Sequence, residues 1–598
     1  NAPDAVKALN NSYFHFSSIF CKSRQLFGDG TVPFAFLVIT TLFLSADWFM
    51  DRYILPKNMG FIFGVVLWGG VYLTNRKLKT HLMIDLLSVS LTAFMGCLFV
   101  RSLFTPQYIQ CVYIGTAWIL FVLLRNREAS TEVFSLIISV VGVFQALYGL
   151  LQYTGYMETQ SYFSILGAFD NPAGFAVSIS LCYPFLLHQS ALGQRRKIKL
   201  FACVFLGIVA VLSGSRAGIL SLFIVTFLFY MARHKEMIIR WRILFIGGGT
   251  LILAGLFIGL IYIKPASASG RMLIWKVSAK LCSEHILWGN GVDSFKADYM
   301  SAQANYLSSS QASDAELQLA GDTNHPFNEY LLVLIEMGIL GVVLLLFLLF
   351  TIFRCKMRFD SPELLALVAI ALFSCFSYPF KYAFVWFMSI YCLSSLAKNM
   401  LVLRKVDIPS ILFFLLFSGA LCVVCVFAIR TMVFERKWKQ VAPALEEDVG
   451  LLDKELSIYA QLDSTWNGNP YFLYNYGAEL NRNELYEKSV DIFLRCESYS
   501  NTYNLQMQLA DNYYHLECWA EAESRYQKAL AMCPSRFLPL QGLLRLYVKW
   551  GDLLCAEQIA LEILDKPVKV PSYTVAIIQE EAKTHLHKNP FINSKNMK

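Results

Sequence analysis

The chain has 598 residues, of which 56% are hydrophobic and only 16% charged, and its mean hydropathy is +0.48. Soluble domains carry about a quarter charged residues, so this balance excludes an ordinary soluble protein and points to a polytopic membrane protein. The formal charge of +8 does not mark a nucleic-acid binder, because Lys and Arg occur in short runs between apolar segments, where they orient helices.

Residues 1–31 are mixed and polar and show no cleavable signal pattern, so they are read as a cytoplasmic segment, with the first span acting as the insertion signal. Apolar runs long enough to cross a bilayer follow at 32–49, 59–74, 81–100, 108–124, 132–153, 172–188, 198–213, 216–232, 243–263, 327–353, 362–378, 383–397 and 409–429. The fold class expected is therefore all-α, with about thirteen transmembrane helices in a membrane domain over 32–430. A long polar loop occupies 264–326 within that domain, and a second domain fills 435–598.

Loop charge gives a second reading of topology. Every second loop is rich in Lys and Arg, as in Arg76, Lys77 and Lys79, in Arg195, Arg196, Lys197 and Lys199, and in Arg354, Lys356 and Arg358. The alternate short loops hold only Arg52 and Lys57, Arg101, Arg216, and Lys381. Basic loops stay cytoplasmic, so the N-terminus is placed in the cytoplasm, and the 264–326 loop and the tail on the opposite side. Most of the fifteen cysteines sit inside apolar runs, where Cys is a small hydrophobe. The Cys422-x-x-Cys425 pair has no second pair at ligand spacing, and no metal site is expected.

The tail repeats with a period near 34 residues, the length of a tetratricopeptide helix pair. Small and large residues recur at Gly477, Leu480, Ser489 and Phe493, then at Ala510, Tyr513, Ala522, Tyr526, Ala529 and Pro534, and more weakly at Tyr547, Gly551, Ala556 and Ala560. Stacked helix pairs of this kind present a concave surface to protein segments, or else pack on a neighbouring domain and shape its entrance.

The candidate chemistry gathers on the expected outer face. Arg216 in "SGSRAG" opens a helix behind Ser213, Gly214 and Ser215, and helix N-terminal amides with a planar guanidinium suit a phosphate. The alternative for such a residue is an arginine that snorkels to the interface. Arg271 lies four residues before Trp275 in "GRMLIWK", and Lys381 lies in "YPFKYAF". His325 sits in "GDTNHPFNEY" at the mouth of an apolar segment, where a near-neutral ring can take a proton from a hydroxyl or donate to a phosphate. Asp293, Asp298, Asp314, Glu316 and Asp322 are read as a solvated face of the loop.

"SGSRAG", Gly270-Arg271-x-x-x-Trp275, the long loop and "NHPFNEYLLVLIEMGILG" together resemble the O-antigen ligase superfamily, and "FDNPAGFA" at 169–176 resembles its Asn-Pro segment. The resemblance covers roughly 130–400 and extends to bacterial protein O-oligosaccharyltransferases and O-antigen polymerases. It implies a metal-independent, GT-C-like glycosyltransferase of the bacterial inner membrane that needs no cofactor beyond its donor, a glycan on undecaprenyl pyrophosphate. On this resemblance Arg216, Arg271, Ser215 and Lys381 cradle the pyrophosphate, and His325 activates the acceptor hydroxyl or binds phosphate. Asn171, Asn324, Trp275 and Glu329 are further candidates.

The expected partners are the lipid-linked donor, membrane lipids and an acceptor, with no nucleic acid. A repeat array outside the membrane favours a protein acceptor; ligation onto lipid A core and polymerisation are the alternatives. A lipid-linked-sugar transporter is the reading from another class, but it would place ionisable groups near mid-bilayer and show inverted repeats.

Overall fold

Several helices begin where the sequence supplies a cap. In the computed structural model, which describes residues 30–74, 81–105, 109–126, 131–159, 162–192, 195–234, 255, 265–283, 285–356, 358–442, 453–465 and 468–588, Asn171 caps the helix Pro172–Ser190 and Ser215 caps Arg216–Arg233. Proline at the first helical position, as at Pro172, Pro362 and Pro470, needs no donor there and arrives with a helical φ. The described residues are helical apart from a few loops and one antiparallel ribbon of His81–Ile84 with Arg404–Asp407, in which His81 faces Asp407.

They form two compact units. One takes the helices from Thr31–Phe43 to Arg216–Arg233 and the chain from 343 to 436; the other takes 101–105, the chain from 265 to 342, and 437 to 588.

Pro172–Ser190 and Ala383–Lys398 are buried nearly all round and form the centre of the first unit. Among the described residues, five helices are long and apolar enough to cross a membrane: Ile54–Leu73, Glu132–Tyr153, Arg216–Arg233, Glu329–Phe353 and Ile411–Val441. The protein is accordingly an α-helical, membrane-embedded one. Two arginines in the last turns of their helices make ion pairs. Arg125 meets the fully buried Asp85 at 3.1 Å, and Arg233 meets Asp360 at 3.1 Å.

Several expected spans have different edges. The first helix stops at Phe43 rather than 49, and the run at 81–100 opens with the ribbon strand before its helix starts at Leu86. The last span, expected at 409–429, continues as one helix Ser410–Val441, because "FERKWKQ" is polar yet still helix-favouring. The expected span at 243–263 lies mostly outside the described residues.

In the second unit, Pro265–Cys282, Ser294–Leu307 and Asp314–Leu319 make up the loop region. The tail is a succession of antiparallel helix pairs, Pro470–Arg482 with Tyr486–Glu497, Tyr503–His515 with Trp519–Met532, and Leu538–Trp550 with Leu553–Asp565. These pairs start 33 and 35 residues apart. Ser489, Ala510, Ala522, Ala529, Ala556 and Ala560 are fully buried where helices approach, and a Cβ on Gly477 would come within 2.5 Å of the Phe493 ring. Gly551, with φ 88°, ends Leu538–Trp550 in the left-handed conformation glycine favours.

The loop region and the tail share one apolar core, with Leu273, Val277, Phe295, Tyr299 and Met300 meeting Tyr503, Ala529 and Met532. Burying a side chain of this size is worth about 1.5 to 3 kcal/mol, so this core joins the two stretches before any hydrogen bond is counted.

The helix Glu329–Phe353 is broken at Gly338 (φ 64°, ψ −160°). Chain 286–291 supplies the partners lost there: Asn290 and Gly291 N–H groups donate to the Ile335 and Glu336 carbonyls at 2.8 and 3.1 Å, and Ile339 and Leu340 N–H groups donate to Ile286 and Leu287 at 2.9 and 3.3 Å. A Cβ on Gly289 or on Gly338 would lie 2.5 Å from the other segment's backbone, so the crossing requires both glycines.

Candidate functional site

The stretch 320–328 carries His325, and the backbone around that residue is held from several sides. Thr323 Oγ1 donates to the His325 carbonyl at 3.1 Å. From the helix Pro265–Cys282, Trp275 Nε1 donates to the Pro326 carbonyl at 2.9 Å, and the Arg271 guanidinium lies 5.3 Å from the centre of the Phe327 ring. Phe327 itself has φ 53°, a left-handed backbone that a non-glycine residue adopts at a cost of about 1 kcal/mol or more. Asn328 Oδ1 accepts from Leu331 N at 3.0 Å and starts the next helix, whose first residue is Glu329. Arg271, Trp275 and His325, separated by some fifty residues of chain, thus meet around one strained tripeptide.

Polar groups beside His325 are only partly satisfied. The buried Oδ1 atoms of Asp322 and Asn324 have no hydrogen-bond partner among the described residues. Burial pushes the Asp322 carboxyl above the usual range, opposed by the Arg536 charge and the Tyr503 N–H. Of the other acids, Asp314 is exposed as expected, whereas Glu316 and Asp293 are paired rather than solvated. Glu316 pairs with Lys276 at 2.8 Å and accepts from Tyr306 at 2.9 Å, and Asp293 pairs with Lys296 at 3.0 Å. Lys276 and the Ser313 N–H hold the Glu316 carboxyl down at about 2. Among the described residues, no three of His, Cys, Asp and Glu are grouped to hold a metal ion.

In the first unit, Arg216 is the first residue of Arg216–Arg233, as the cap pattern predicts. Ser215 Oγ accepts from Gly218 N at 3.3 Å, which uses one of the hydroxyl's two lone pairs and not its proton. Gly214 takes φ 66°, and a Cβ there would meet nothing within 4 Å.

A second group forms where "FDNPAGFA" meets "YPFKYAF". Lys381 Nζ bonds Asp170 Oδ2 at 2.8 Å, the Tyr382 hydroxyl donates to Asp170 Oδ1 at 3.2 Å, and Asn171 Nδ2 donates to the Tyr378 hydroxyl at 3.3 Å. Asn171 Oδ1 accepts from Ala173 and Gly174 N at 2.8 and 3.1 Å, so this candidate's carbonyl is committed to a helix cap.

Sequence reasoning missed Asp170 and underused Lys57. Asp170 stands next to a motif residue and was legible only as its neighbour. Lys57 is 1% exposed, donates to the Leu44 and Tyr53 carbonyls at 3.0 Å each, and lies 5.3 Å from the centre of the Phe169 ring. Lys57 stands in the first turn of the helix Ile54–Thr74, and the cost of burying its ammonium is offset by those two carbonyls.

Residues 201–346 match the family model described as O-Antigen ligase. The matched stretch is narrower than the 130–400 over which motifs suggested a resemblance, yet it contains Arg216, Arg271, Trp275, Asn324, His325 and Glu329. Asn171 and Lys381 fall outside it. The match supports a membrane glycosyltransferase of the O-antigen ligase or polymerase type, with lipid-linked glycan and acceptor as its substrates. Among curated proteins none matches the chain.

Proposed function

We propose that this protein transfers a glycan from undecaprenyl pyrophosphate to an acceptor hydroxyl at the outer face of a bacterial inner membrane, without a metal ion or other cofactor. The observation that carries the reading is the convergence of Arg271 and Trp275 on the Pro326–Phe327 backbone beside His325, inside the stretch matched by the ligase family. The acceptor oxygen attacks the anomeric carbon as the bond from that carbon to the pyrophosphate oxygen breaks. His325 takes the hydroxyl proton or holds the phosphate, and undecaprenyl pyrophosphate leaves with the electron pair.

Arg216 and Arg271 bind the pyrophosphate and stabilise the charge that grows on it, the task for which fixed cations are most effective. Ser215 and Lys381 are the further phosphate ligands that the sequence motifs suggest. Lys381 is held by Asp170, and a bound phosphate would compete with that carboxylate for the ammonium.

The acceptor we favour is a protein serine or threonine. The tail's helix pairs, their 33- and 35-residue spacing and their buried small residues fit a tetratricopeptide array, a fold suited to protein segments. Basic-loop alternation puts the N-terminus in the cytoplasm and the tail in the periplasm. The deciding experiment is deletion of the gene, followed by comparison of glycoproteins and lipopolysaccharide ladders from the same cells. Loss of glycoprotein with intact ladders is expected; loss of the ladders alone would move the acceptor to lipid A core.

A further inference from the structure

The stretch that carries His325 is anchored in the tail, and one side chain does most of the anchoring. Gln303, on the helix Ser294–Leu307, is 1% exposed. Its amide nitrogen donates to the Gly321 carbonyl at 3.0 Å and to the Met532 carbonyl at 2.8 Å, while its Oε1 accepts from the Tyr299 hydroxyl at 2.8 Å. Both amide protons are therefore used, and the acceptor is bonded as well. Gly321 opens the stretch that leads to His325, and Met532 ends the tail helix Trp519–Met532.

Three other contacts repeat the arrangement. Asn501, 2% exposed, donates from its backbone to the Lys296 carbonyl at 2.9 Å and from Nδ2 to Ser301 Oγ at 2.8 Å, and its Oδ1 accepts from Gln506 at 2.8 Å. Asp322 lies where the Arg536 charge and the Tyr503 backbone N–H both act on its carboxyl. Lys569 Nζ donates to the Gln318 carbonyl at 2.6 Å. A buried amide with every valence bonded fixes one geometry, because any displacement leaves a desolvated donor without a partner. An array that only captured acceptor would not need such bonds to the stretch beside the reacting groups.

We propose that the tail's middle helix pair, Tyr503–His515 with Trp519–Met532, is a positioning element of the transferase, and that Gln303 is the positioning residue through which it sets the 320–328 stretch. The inference rests on the reading of His325 as a residue of the transfer reaction. It makes the tail part of the catalytic architecture for every acceptor, large or small.

The test uses the full chain in lipid nanodiscs with Gln303→Met, which keeps the side chain's length and removes its hydrogen bonds, and with Asn501→Ser as a second route should the first fail to fold. Amide hydrogen exchange over 320–328 is read alongside saturating turnover and donor KM, with undecaprenyl-pyrophosphate glycan as donor and a serine peptide and glycerol as acceptors. Exchange over 320–328 should rise about tenfold, and turnover with both acceptors should fall about tenfold, while donor KM changes little. Turnover at the wild-type level, whether or not exchange rises, overturns the proposal; so does a loss confined to the peptide. His325→Ala runs in parallel. If it turns over like wild type, the functional reading fails, and the exchange measurement still decides whether the tail sets the stretch.

Discussion

In the first unit the candidate residues are placed by local backbone devices, to which Lys381 and Asn171 add one long-range side-chain bond each. Ser215 caps the helix that Arg216 opens, Asn171 caps the next-but-one helix upstream, and Lys381 ends a single turn at Pro379–Lys381. In the second unit the stretch around His325 takes local support from Thr323 and Asn328 and is otherwise held by side chains far away in the chain, Trp275 and Gln303 among them. Local caps place a charge cheaply and tolerate drift elsewhere. A stretch held from afar places a reacting group accurately, but it depends on the folding of everything that holds it.

The largest effect that would break this comparison is unfolding the tail. Ala522 is fully buried, and Ala522→Glu forces an unpaired carboxylate and extra volume into a helix contact, at a cost of roughly 3 to 5 kcal/mol. Differential scanning fluorimetry should show a low-temperature loss, and hydrogen exchange should rise over 320–328 along with the tail. Leu554→Glu, at a residue 76% exposed, should change neither. If 320–328 stayed protected with the tail unfolded, the contrast between the two units would collapse.

The arginines sharpen it. Arg216→Ala and Arg271→Ala should each weaken donor binding by about 1.5 to 3 kcal/mol, roughly 10- to 150-fold. Lysine should restore part of this at position 216, where a charge at a helix N-terminus is what matters. It should restore less at 271, because a lysine loses the planar contact with Phe327. Titration of donor binding by the four variants gives the answer; equal rescue at both positions would argue against a distinct role for the Phe327 contact.

A smaller effect concerns acid. Glu316 titrates at about 2 in the folded chain, below the ordinary glutamate value of about 4.3. A depressed carboxyl contributes stability that is whole above about 4.3 and is lost as pH falls through about 2. Glu316→Gln should therefore flatten the pH dependence of the second unit's unfolding between about 4.3 and 2 and lower its stability by a constant amount above that window. An unchanged acid slope would mean the Lys276 pair does not hold in solution.

What could be read from the sequence follows the same division. "SGSRAG" announces its cap and its arginine because Ser, Gly and Arg are adjacent, and the tail's small residues announce their burial by period. Gly338 does not announce the helix break, since it lies in a run that is apolar on both sides and its partner, 286–291, is about fifty residues away. Gln303 reads as one polar residue on a polar helix, and only its two carbonyl partners reveal its place. The strand His81–Ile84 was hidden for a related reason: "HLMI" is as apolar as the span it precedes.

His325 decides the account. With purified protein and undecaprenyl-pyrophosphate glycan, donor binding and glycan transfer are measured separately for wild type and His325→Ala at matched folding. The account predicts that transfer falls by about 10² to 10⁴, with donor binding kept where the ring acts as general base and weakened where it holds the phosphate. Transfer near the wild-type rate would contradict it.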